Sequence, residues 1–307
     1  MNREYHYHQA QRHYSAGRYA AAIDALKIAL GENPDDADAH ALLAATLVSQ
    51  HRLGAALHEV KLALAIDPMN VMSFWVKARV LIYQNKKTQA EQACEDALRL
   101  SPDHLPTLLL LADIYILYGE RSKALALLQK ASALHPDDEQ VLVALAAYYQ
   151  RARQFNEAET WARAALNVNA ENASANIIMG RIRLAENAVA EAEYHAKFVI
   201  MHEPESRAAL GLLADVKARN NAFIGLWWRI NQRMASMNRL HSSMLLVGFF
   251  LFFSILAQAL KDLGLPALGR AVSYGWLALV VYTWLALPVY YRVLKKELEQ
   301  FRFRADF

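Results

Sequence analysis

The chain has 307 residues, of which 55% are apolar, with 11 Gly, 8 Pro and a single cysteine, Cys94. So few Gly and Pro exclude a turn-rich β architecture, and one cysteine excludes an internal disulfide, which suits a reducing compartment. Residues 1–218 carry 22 Lys+Arg against 26 Asp+Glu, and residues 219–307 carry 11 against 4, so the net +3 is a property of the C-terminal end; it is not the basic face of a folded nucleic-acid binder.

The N-terminal stretch MNREYHYHQAQRHY has no apolar core and does not read as a secretory signal. A 34-residue period then runs through the first two-thirds of the chain. Small residues recur at Ala10, Ala44, Ala78, Ala112, Ala146 and Gly180, and again at Ala22, Ala56, Ala90, Ala124, Ala158 and Ala192. A third series is Ala29, Ala63, Ala97, Ala131, Ala165 and Val199; a fourth is Pro34, Pro68, Pro102, Pro136, Ala170 and Pro204. Two antiparallel helices approach closely only where side chains are small, so the small series mark crossing points. Larger residues such as Leu26, Leu47, Val60, Leu81, Leu111, Leu128 and Leu145 fill the gaps between them. Proline ends each second helix. The acidic or hydroxyl neighbours of the prolines, as in NPDD and HPDD, suit the start of the next helix. Short turns such as SAGRY and LYGER join the two helices of a unit.

These spacings resemble the tetratricopeptide-repeat family over roughly Arg3 to Arg219. The resemblance implies an all-α, right-handed superhelix over residues 1–219: about six helix-turn-helix repeats and a capping helix at Arg207–Arg219 marked by Ala214. His6 and His40 stand where the family often has a bulky aromatic, Ala170 replaces a proline, and Asn176 and Arg183 make the sixth repeat degenerate and open to distortion. The resemblance also implies a concave groove lined by first-helix residues that binds protein segments. Carried onto this chain, the groove comprises Tyr7, Gln11 and Tyr14, then Ala41, Ala45 and Val48, then Trp75, Arg79, Ile82 and Tyr83, then Leu109, Asp113, Ile116 and Leu117, then Val143, Ala147, Gln150 and Arg151, and finally Ile177 and Arg181. The Lys/Asn set with which family members clamp a chaperone's C-terminal carboxylate is missing. The groove is apolar in the middle with four charges around it, which suits an amphipathic or aromatic-rich partner segment.

Residues 220–241 alternate Trp227, Trp228 and other apolar residues with Arg229, Arg233 and Arg239, the pattern of a linker helix at a membrane surface or of a plain extension of its neighbours. Residues 242–291 read as a two-helix transmembrane hairpin: Ser242–Leu260 gives 19 uncharged residues and Ala271–Tyr291 gives 21. About 20 helical residues cross a bilayer core. The ten residues KDLGLPALGR form the loop between them, and residues 292–307 are a basic tail. Arg229, Arg233 and Arg239 before the pair, and Arg292, Lys295 and Lys296 after it, place both termini in the cytoplasm, and the Ala-rich composition with that exposure suggests a bacterial inner membrane.

No catalytic constellation is present. His58-Glu59 and His202-Glu203 lack the second histidine of a zinc-protease helix, and there is no phosphate loop or nucleophile elbow. His6, His8 and His13 read as surface or packing residues and Cys94 as core packing, so neither a metal nor a cofactor is expected. The reading is a non-enzymatic scaffold or adaptor. It would recruit protein partners at the cytoplasmic face of a membrane, as in envelope, polysaccharide, secretion or pilus machinery. The alternative is an accessory subunit of a membrane enzyme or transporter, held through the hairpin and membrane lipids.

Overall fold

A computed structural model describes residues 2–220, 239–278, 281–282 and 285. The described residues contain helices and no strand. They fall into two compact units, Met1–Asn169 and Ala170–Phe307.

The first unit holds ten helices: α1 (Asn2–Ser15), α2 (Tyr19–Glu32), α3 (Ala37–Ser49), α4 (Leu53–Ile66), α5 (Val71–Tyr83), α6 (Lys87–Leu100), α7 (Leu105–Leu117), α8 (Arg121–Leu134), α9 (Glu139–Arg151) and α10 (Phe155–Val168). From α3 onward each odd helix has 13 residues and each even helix 14. The 34-residue period is therefore two helices plus a three-residue and a four-residue turn. The four-residue turn works by capping. Asp36 accepts from the Ala39 amide at 3.1 Å, Asn70 from Ser73 at 2.8 Å, and Asp138 from Gln140 and Val141 at 2.9 and 3.3 Å. At α7, Pro106 in the first turn takes the place of a side-chain cap. The three-residue turn is a left-handed reversal at Gly17, His51, Asn85, Gly119 and Arg153, each with φ between 56° and 83°. The amide just after it returns to the carbonyl five residues back, as in Arg52 to Leu47 at 2.9 Å.

Consecutive helices pack as antiparallel pairs. The small series lies at their crossings: Ala10, Ala44, Ala78, Ala112 and Ala146, with Ala22, Ala56, Ala90, Ala124 and Ala158, are all 0% exposed. Leu26, Leu108, Leu128 and Leu145 fill the space between pairs. Successive odd helices touch one another, whereas successive even helices stay farther apart. The odd helices of this unit therefore form its inner layer. Cys94 is completely buried in the core, and burial pushes its thiol up to about 12, so it is packing and not a nucleophile.

The second unit begins with α11 (Ala173–Ala185), α12 (Val189–His202) and α13 (Arg207–Asn220). The sixth repeat is not distorted: α11 and α12 have the same 13 and 14 residues as the earlier pairs. The missing proline at Ala170 is tolerated because Asn169 leaves the helix extended and Asn172 caps α11, accepting from Ala175 at 2.7 Å. Gly180 takes the place of alanine because α13 presses on it. A Cβ there would lie 2.4 Å from Leu212 Cδ2 and 3.2 Å from His195 Cβ.

The second unit also contains α14 (Arg239–Asp262), and residues 266–278 are helical as well. These two run antiparallel. Trp276 stacks on Phe253 at 5.3 Å, and a Cβ on Gly269 would lie 2.5 Å from the Ala257 carbonyl oxygen. The ten-residue loop expected between them is only three residues long. Gly264 turns left-handed at φ 78°, the Leu265 amide returns to the Leu260 carbonyl at 2.9 Å, and Pro266 opens the next helix. Large apolar side chains project outward from the pair: Phe249, Phe250, Leu251, Phe252, Ile255, Tyr274 and Leu277 are 48–68% exposed. No helix among the described residues is long and apolar enough to cross a membrane, so the expected spans at 242–260 and 271–291 are not met there. The second of them lies only partly within the described residues. Trp227, Trp228, Arg229, Arg233, Arg292, Lys295 and Lys296 lie outside the described residues, and Arg239 is the first residue of α14.

Candidate functional site

On α5, Trp75, Arg79 and Tyr83 are spaced four apart and share one helix face. The Trp75 indole N–H donates to the Pro106 carbonyl of α7 at 3.1 Å. The Arg79 guanidinium lies 4.8 Å over the Trp75 ring and donates to the Tyr14 hydroxyl of α1 at 3.2 Å. Trp75 and Arg79 thus brace three repeats. Tyr83 is 52% exposed, with its ring edge-on to His51 at 5.5 Å.

Beyond this brace, between α5 and α7, lies an open cavity of about 210 Å³. Arg79, Ile82 and Tyr83 line it from α5, and Leu110, Asp113, Ile114 and Leu117 from α7. Leu117 stands at the edge, 64% exposed. Asp113 keeps access to water, yet the surrounding protein removes enough of it to raise the carboxyl above its ordinary pKa, and Arg151 offsets that in part.

Of the expected groove residues, Arg79, Ile82, Tyr83, Asp113 and Leu117 meet at this cavity. Leu109 and Ile116 are half-buried and turn toward the core shared by α7, α8 and α9. Val143 is half-buried and Arg151 exposed, both on α9. Ile177 and Arg181 belong to the second unit. Ile177 is 7% exposed within a core that includes Val199, Ile200 and Leu213, and Arg181 is exposed. Leu110 and Ile114 were not expected at the site. With Leu117 they form an i, i+4, i+7 stripe on the α7 flank that faces α5. The series of uninterrupted leucines in LPTLLLLADIYIL hides that stripe. Among the described residues no group of three His, Cys, Asp or Glu side chains converges as a metal site.

Residues 13–71 and 81–142 match the family described as tetratricopeptide repeat. Among solved structures, a thermophilic tetratricopeptide-repeat protein of Thermus thermophilus is 27% identical, with a TM-score of 0.56, over 59% of this chain and 99% of its own. Pseudomonas aeruginosa pilF is 20% identical with a TM-score of 0.52, covering 69% of this chain and 97% of its own. PilW, described as a widely conserved type IV pilus biogenesis factor, is 17% identical with a TM-score of 0.55, covering 69% and 99%. At these identities the last two show the fold alone. A comparison with curated proteins finds no match. The helical hairpins of residues 13–71 and 81–142 are similar in sequence to tetratricopeptide repeats.

Proposed function

We propose that the chain is a non-enzymatic scaffold that holds a segment of a protein partner in the α5–α7 groove and is anchored in a membrane by residues 242–291. The observation that carries the binding half is the pair Tyr83 and Leu117. These two large side chains, 52% and 64% exposed, flank a cavity lined on both sides by apolar groups. Single exposed apolar residues are ordinary, but a concave group of them beside fixed charges marks a recognition surface. The names of pilF and PilW add no partner to this reading.

The anchoring half rests on the residues of the hairpin. In sequence, residues 242–260 and 271–291 supply 19 and 21 uncharged residues, and about 20 helical residues cross a hydrocarbon core. The exposed phenylalanines of α14 suit lipid better than water. The basic residues that flank the pair in sequence, Arg239 on one side and Arg292, Lys295 and Lys296 on the other, assign both ends to the cytoplasmic face.

Because Trp75 braces the repeats, Tyr83→Ala with Leu117→Ala is the informative variant. Cross-linking in native membranes followed by mass spectrometry should show a soluble partner lost from this variant, with an unchanged melting curve. Undiminished capture of the same partner sinks the groove reading. Partners held only through residues 242–291 favour the accessory-subunit role instead.

A further inference from the structure

The cavity between α5 and α7 contains a carboxylate, Asp113, on which the fold acts only through the attraction of Arg151. Asp113 makes no hydrogen bond or ion pair with another described residue. The nearest candidate cation on the cavity wall, Arg79, is committed to Trp75 and Tyr14. The remaining walls are Ile82, Leu110, Ile114 and Leu117, with the Tyr83 ring at the mouth. At about 210 Å³ the cavity is smaller than sites for small organic ligands, roughly 300–1,000 Å³, so it suits one inserted side chain. An apolar slot containing a carboxylate complements a long aliphatic stem with a cationic end. The stem packs on leucine and isoleucine while its head reaches the charge. The face of an exposed tyrosine adds cation–π attraction. An acidic side chain would meet the Asp113 carboxylate and reach only Arg79, which Trp75 and Tyr14 already hold, and a purely apolar one would leave the carboxylate with less water and no partner in the cavity.

We propose that this cavity receives a lysine or arginine side chain of the partner segment, with Asp113 as its counter-ion. This rests on the groove reading above and adds the chemistry of one partner residue. The test is selection of a random 12-residue peptide display library on the full chain in detergent micelles. Peptides should emerge with a basic residue at one fixed place among apolar ones. Replacing that residue by norleucine should weaken binding about tenfold, the scale of one charge-assisted contact. On an Asp113→Asn chain the two peptides should bind alike, and on a Tyr83→Ala chain both should be lost. Selected peptides that depend on Tyr83 but carry no basic position overturn the counter-ion proposal and leave the groove reading standing. A selection that yields no Tyr83-dependent peptide overturns both.

Discussion

Arg153 sits in a left-handed backbone conformation, φ 61°, that costs an L side chain about 1–2 kcal/mol. It shares that conformation with Gly17, His51, Asn85, Gly119 and Asn187, one per repeat and 34 residues apart. Glycine is free of the cost, yet only two of the six positions carry it. Arg153→Gly removes the steric strain and adds some unfolded-state entropy, so the net gain should be about 0.5–1 kcal/mol. Thermal melting should show it as a rise of a few degrees. Gly119→Ala, at φ 83°, should shift the midpoint the other way by a similar amount. Equal midpoints for both variants and the parent would show that the strain is relieved some other way. These turns were legible in the sequence only where glycine marks them, as in SAGRY and LYGER. At His51, Asn85, Arg153 and Asn187 the reversal is imposed by the packing of the helices it joins.

Two helix pairs carry polar bridges at equivalent places in the repeat. In α3, His40 lies 2.6 Å from the Glu59 carboxyl of α4 and its Nε2–H donates to the Pro34 carbonyl at 2.8 Å. In α11, the equivalent Asn176 donates to the Ala170 and Asn172 carbonyls at 3.0 Å, and its Oδ1 accepts from His195 Nδ1 of α12 at 2.9 Å. Both residues stood out in sequence as departures from the repeat. Their partners did not, because Glu59 and His195 lie 19 residues onward on the other helix, where the pattern tolerates almost anything. Arg183, another departure, pairs with Glu186 and Glu191 at 2.6 and 3.0 Å. These replacements keep the sixth repeat regular where sequence alone suggested distortion. His195 titrates as a consequence of its position. Burial, followed by the nearby Arg183, lowers its pKa below the ordinary 6.5, while Glu191 opposes the shift. The folded chain therefore binds this proton less readily than the unfolded chain. The stability from His195 is complete above pH about 6.5 and is lost as pH falls from there through the lower folded value. Denaturant unfolding of the parent should weaken between pH 7.5 and 5.5, and His195→Gln should show a smaller change over the same interval. His104 has a lowered pKa too, through burial, and contributes equally to both proteins. Identical pH slopes for the two chains would rule His195 out as the source.

The whole chain is divided by charge and polarity into a slightly acidic set of repeats and a basic, apolar C-terminal end. The repeats were almost fully legible, because small residues at helix crossings leave a strict periodic record. The hairpin was legible as two apolar stretches, but its turn was not. A glycine in the left-handed region followed by a proline two residues on compresses ten apparent loop residues to three, which only the backbone reveals. The groove was legible by face but not by edge. Side chains at first-helix positions divide between bracing the next repeat, as Trp75 does, and lining the cavity, as Leu110 does, and sequence spacing cannot separate the two. The hairpin's seven outward apolar side chains carry the last consequence. Full transfer of such a side chain from water to an apolar phase is worth about 1.5–3 kcal/mol, and each here is already partly covered. Their sum is still on the order of 5–10 kcal/mol, comparable to the whole stability of a domain. Water is therefore a poor solvent for this face of the hairpin, and the bilayer anchor proposed above would cover it. The full chain should stay with the membrane pellet through an alkaline carbonate wash. A chain ending after Arg219 should move to the supernatant with its helical circular-dichroism signal retained. Release of the full chain by the wash would remove the membrane anchor, leaving the outward face of the hairpin to a protein neighbour.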